Sequence, residues 1–150
     1  MGEKKTIELM SVLGGVRTEK ELDAYISRED MNDMIKFAEY FNELECVRSK
    51  TPAEIIKKSC VNRKYGSEML SYKCSKNLGR DRIIALMIAG GLNIDEVQRG
   101  LEIANVNPLY SRDRRDAVII FGINLKKSVI EINLLLDERG FAGLEGTYEK

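Results

Sequence analysis

Residues 51–73, TPAEIIKKSCVNRKYGSEMLSYK, carry the signal that decides the fold. Thr51 stands three residues before Glu54, a spacing that lets the two side chains satisfy free N–H groups at a helix start. Pro52 follows at the first helical position, where its missing N–H costs nothing. The stretch breaks around Cys60 and restarts at Asn62 with Arg63 and Lys64. Two short helices closing on a tight turn are a common way to place a helix in the DNA major groove. The same shape also fills helical bundles.

Working outward, the same capping spacing recurs at Thr18/Glu21, Asn93/Glu96 and Ser128/Glu131. Between these marks the apolar period is near 3.6 residues, the mark of helices. Met31, Met34, Ile35, Ala38, Phe41, Leu44 and Val47 form one stripe, which predicts a helix over 29–48. Further helices are predicted over 52–59, 62–73, 80–90, 94–105, 112–124 and 128–139. RIIALMIAGG and AVIIFGI are apolar nearly all round, so 82–90 and 117–123 are expected as central, buried helices. Gly90, Gly91 and Gly140 supply left-handed stops. No alternating strand pattern with tight turns is found. The expectation is an all-α fold.

The chain has 24 basic and 24 acidic residues, so its net charge is zero, but the charge is unevenly spread. Residues 1–47 hold 6 basic and 11 acidic side chains, 48–82 hold 10 and 3, and 83–150 hold 8 and 10. The basic block coincides with the two-helix unit, as a contact to a phosphate backbone requires; a solvated lysine-rich face is the plainer alternative. There is no histidine, and Cys46, Cys60 and Cys74 form no CxxC pair. This argues against a zinc site and for thiols in a reducing cytoplasm. Without histidine, catalysis would need paired carboxylates or lysines, and no spacing provides them. The expectation is therefore a cytoplasmic protein that is not an enzyme, holds no cofactor or metal, and has no apolar run of the length needed to span a membrane.

A DNA-reading helix pair needs apolar residues where its helices cross and polar residues at the front of the second helix. Ile55, Ile56, Val61, Met69 and one of Tyr65 or Gly66 can supply the packing. Asn62 can cap the second helix and donate to a phosphate. Arg63, Lys64, Ser67 and Ser71 would lie on its outward face, arginine being the best side chain for guanine. Lys57, Lys58, Lys73, Lys76 and Arg80 would flank them as backbone contacts.

Beyond this stretch, VNRKYG, GRDRIIALMIAGGLNIDEVQRGLEIANVNPLYSRDRRDAVIIF and SVIEINLLL resemble a lambda-repressor-like helix-turn-helix family. Its members are small bacterial regulators with a C-terminal helical extension, and the likeness runs from about Phe37 to Leu144. The resemblance implies a five-helix bundle whose third helix, here 62–72, is the reader. RDRIIAL would open the fourth helix, NIDEVQRGLEIA form the fifth, and PLYSRDRRDAVIIF belong to the extra helix pair. The expected organisation is an N-terminal helical segment or arm (1–28), a helical domain (29–144) with the reader unit at 51–73 and the extension at 108–140, and a frayed tail (145–150). Three departures fall near the reader: Cys60 where glycine is usual, Glu68 where glutamine is common, and SYKCSKNLG in place of a glycine- and proline-containing turn.

Double-stranded DNA is thus the expected partner. The alternative is a protein-interaction module on a scaffold that has lost its reader. Such regulators pair to match two half-sites, so a homodimer is expected, joined through the acidic N-terminal segment or the last helix. SRDRRDA (111–117) looks at first like a second phosphate clamp. Its alternating charges, with Ser111 as a helix cap, instead predict local ion pairs and arginines that pin the extra helix pair to the core.

Overall fold

The computed structural model describes residues 10, 14–26, 33–74 and 77–147. The chain divides into two compact units, residues 1–32 and 33–150. In the first, α1 (Glu19–Ile26) starts at Thr18, whose hydroxyl accepts from the Glu21 N–H at 3.1 Å. Glu21 does not reciprocate; its carboxylate takes the N–H of Arg17 instead.

The second unit holds α2 (Asp33–Glu43), α3 (Glu45–Arg48), α4 (Pro52–Ser59), α5 (Arg63–Leu70), α6 (Arg80–Gly90), α7 (Ile94–Ile103), α8 (Arg114–Asn124) and α9 (Val129–Glu138). No strand occurs among the described residues, so the fold is all-α. The helix expected over 29–48 is split: Leu44 adopts extended angles (φ −67°, ψ 133°) and a new turn starts at Glu45. The apolar stripe continues across this break, so periodicity alone could not reveal it. Met31 lies outside the described residues, and Phe37, missing from the expected stripe, is wholly buried beside Phe41 with ring centroids 5.7 Å apart.

The expectation for α6 holds. Ile83, Ile84, Ala85, Leu86 and Met87 are all fully buried, which only a helix surrounded on every side allows. It packs against α4, α7 and α9. Gly90 sits so close to Phe41 and Val47 that a Cβ would lie 2.9 Å from the Phe41 ring. The carbonyl of Gly90 is capped by Lys50 Nζ at 3.2 Å. The expectation for 117–123 does not hold. Ile119 and Ile123 are buried, but Phe121 is 51% exposed, and Leu125, Ile130 and Leu134 are also exposed. An all-apolar sequence hides its periodicity and cannot say which face a neighbour covers. The α8–α9 hairpin itself is tight, for a Cβ at Gly122 would collide with Ile132.

Capping is reciprocal at Asn93 and Ser128, each paired with the glutamate three residues on. At Thr51 the hydroxyl accepts from Glu54 N–H at 3.2 Å, while Glu54 itself bonds Lys58. Asp113, not Ser111, caps α8. The ion pairs of the SRDRRDA segment are long-range rather than local. Arg80 bonds Asp116 at 2.7 Å, and Arg115 bonds Asp81 at 2.9 Å. Arg115 also reaches the carbonyls of Ala142 and Gly143, so it does pin the extension to the core.

Of the tail expected to fray from 145, residues 145–147 are described and make contacts with the body; 148–150 lie outside the described residues. Leu144 is buried and donates its N–H to Asn133 Oδ1 at 2.7 Å; Glu145 N–H bonds Asp81; Thr147 forms an antiparallel bridge with Val61. These are single contacts made far away in sequence, which no local pattern announces.

Candidate nucleic-acid interface

The helices α4 and α5 are each eight residues long, about 12 Å, and are joined by a three-residue turn. Ile55 and Ile56 face the core. Gly66 lets the two helices approach closely, since a Cβ there would stand 3.0 Å from Ile56 Cγ1. In the turn, Cys60 is buried with φ +59°, the left-handed conformation that usually selects glycine. Ser59 fastens it by donating to Ile56 O at 2.7 Å and accepting from Val61 N–H at 3.1 Å. Val61 and Met69 close the unit on the core.

With the packing residues turned inward, the polar ones face out. Asn62, Arg63, Lys64 and Ser67 are exposed. Asn62 caps α5 by accepting the Lys64 N–H at 2.9 Å, which leaves its side-chain N–H₂ able to donate. Among the described residues the side chains of Arg63 and Lys64 meet no carboxylate. Every other described helix carries an acidic residue in its first turn; α5 has none there and offers Arg63 and Lys64 instead. Cations at the positive end of a helix dipole cost stability, each typically about 0.3–1 kcal/mol, unless an anion arrives.

The remaining expected contacts divide. Lys57 and Lys73 are exposed, with no side-chain partner among the described residues. Lys58 is exposed and paired with Glu54 at 3.1 Å, a solvent-facing pair that is weak and easily exchanged. Glu68, half-buried, sits one turn behind Lys64. Lys76 lies outside the described residues.

Two expectations need correction. Arg80 is committed inside the molecule, to Asp116, Asn107 O and Pro108 O, and cannot serve a phosphate without abandoning a nearly buried carboxylate. Ser71 lies beyond the end of α5 and turns its hydroxyl back onto Ser67 O at 2.7 Å, so it is no part of the helix front. There Tyr72 takes φ +63°, and Lys73 N–H reaches Glu68 O at 2.9 Å to end the helix. A tyrosine thus holds a glycine-like conformation at this turn.

From the sequence, Tyr65 is expected only as an alternative to Gly66 in the packing. Its ring lies 5.2 Å beneath the Arg82 guanidinium, which also stands against Gly146. A stacked arginine braces the back of α5 from the start of α6, a role that spacing in the sequence could not indicate. Burial, followed by the nearby Glu96, pushes the Cys46 thiol up from its ordinary range. No helix among the described residues is long and apolar enough to cross a membrane. No family model, curated protein or solved structure matches this chain.

Proposed function

We propose that this protein is a cytoplasmic DNA-binding transcriptional regulator of the lambda-repressor-like type, with α4 and α5 as its helix-turn-helix. The carrying observation is the front of α5: an exposed helix start with two cations, no carboxylate and a capping asparagine with a spare donor. A helix N-terminus of this kind favours an anionic partner, and the major groove admits a helix. Arg63 and Lys64 stand nearest the bases, with Asn62 and Ser67 beside them. Lys57, Lys58, Lys73 and Lys76 serve the phosphates. Two copies are needed for tight binding, because one short helix makes few base contacts.

The test is anisotropy of labelled bacterial genomic fragments titrated with protein at several salt concentrations. Affinity is expected to fall steeply with salt, and Arg63→Ala with Lys64→Ala to weaken binding at every salt concentration. Unaltered binding by that double variant would falsify the assignment of the reader.

A second reading, a protein-interaction module without DNA binding, is favoured by the exposed Phe121, Leu125, Ile130 and Leu134 on the α8–α9 hairpin. It predicts salt-insensitive, negligible DNA retardation, and loss of self-association or partner capture in Phe121→Glu and Leu134→Glu.

A further inference from the structure

A cavity of about 620 Å³ opens between the end of α4, the end of α6 and the Lys126–Glu131 segment that enters α9. Its volume is in the range of small-molecule sites. The floor is apolar, made by Ile88, Ala89, Val129 and Ile130, while five lysines and two glutamates stand around it. Most of those charges already have partners. Lys50 donates to Cys46 O and Gly90 O. Glu54 holds Lys58. Glu131 closes the α9 capping box and lies 3.9 Å from Lys127. Lys57 and Lys126 remain, exposed and without a carboxylate among the described residues.

We propose that this cavity binds a small amphiphilic anion: one apolar chain on the Ile88–Ile130 floor and a single carboxylate or phosphate head held by Lys57 and Lys126. Each half of the site favours this occupant over a simpler one. A neutral apolar molecule would forgo the attraction of the two exposed cations. A bare inorganic anion would leave the apolar floor in water. The binding does not depend on the DNA-binding reading. Should both hold, the ligand would draw Lys57 from the phosphate-facing set and join α4 to the extension.

The experiment is calorimetric titration of the full chain, without DNA, by octanoate, octyl phosphate, octanol and inorganic phosphate. At least one octyl anion is expected to bind ten-fold or more tighter than octanol and phosphate; the stronger of the two identifies the head group. Lys57→Glu with Lys126→Glu should weaken it at least ten-fold, and Ile130→Gln, which keeps every cation, should weaken it as well. Equal binding of octanol, tightest binding of phosphate, no binding by either octyl anion, or undiminished binding by both variants would overturn the proposal.

Discussion

Two sets of arginines and lysines meet opposite fates. Arg80 and Arg115 are turned inward, each on a carboxylate and two backbone carbonyls. Arg63, Lys64, Lys57 and Lys73 meet no carboxylate among the described residues and face solvent. A basic block is therefore not one object. Arg63, Lys64, Lys57 and Lys73 are surface charge available to a partner, whereas Arg80, near the end of the block, is internal scaffolding that together with Arg115 fastens the α8–α9 hairpin to α6.

The strongest way to break this contrast is Asp116→Ala. It leaves Arg80 facing the core side without its carboxylate and also removes an acceptor from Tyr110 N–H. We expect a loss of about 3 kcal/mol in urea unfolding. A change under about 0.5 kcal/mol would place Arg80 back among the surface cations. Next in size, Arg63→Ala with Lys64→Ala should weaken DNA binding on the order of 100-fold, while unfolding stability does not fall. Arg80→Ala should do the reverse, and the pair of outcomes separates the two classes.

A smaller effect sharpens the comparison with opposite signs. Arg63→Glu puts an anion at the first turn of α5, with no carboxylate three or four residues on, and should stabilise the fold by about 0.3–1 kcal/mol, measured by urea midpoint, while abolishing DNA binding. Residues shaped by folding alone would not improve in this way. Least in size is a pH effect at α9. Ser128 N–H, then its hydroxyl, holds the Glu131 carboxyl below the ordinary glutamate range. A lowered folded value means that its contribution is present above the unfolded carboxyl's range and fades as pH falls through the folded one. The stability difference between the protein and Glu131→Gln should therefore shrink toward acid; a difference that grows would contradict the sign.

What could be read in advance follows from range. The helices 52–59 and 80–90 are bounded by Thr51–Pro52 and Gly90–Gly91, signals contained in the neighbouring residues, and both are found with those limits. The all-round apolar run of α6 correctly meant burial. The same kind of run in α8 did not, because burial there depends on what covers Phe121. At the candidate interface, the exposure of Asn62, Arg63 and Lys64 agreed with the pattern of apolar residues around them. The roles of Arg80, Arg82 and Ser71 did not emerge, since their partners are Asp116, Tyr65 and a carbonyl that only tertiary placement or the end of α5 brings near.

The bridge between Val61 and Thr147 spans more than half of the chain, and Val61 is the middle residue of the turn that aims α5. Contacts so distant in sequence are slow to form. A ribosome will have released α4 and α5 long before it adds residue 147. The helix α5 is thus made well before its support is finished, so an interrupted or clipped product should hold a looser version of it.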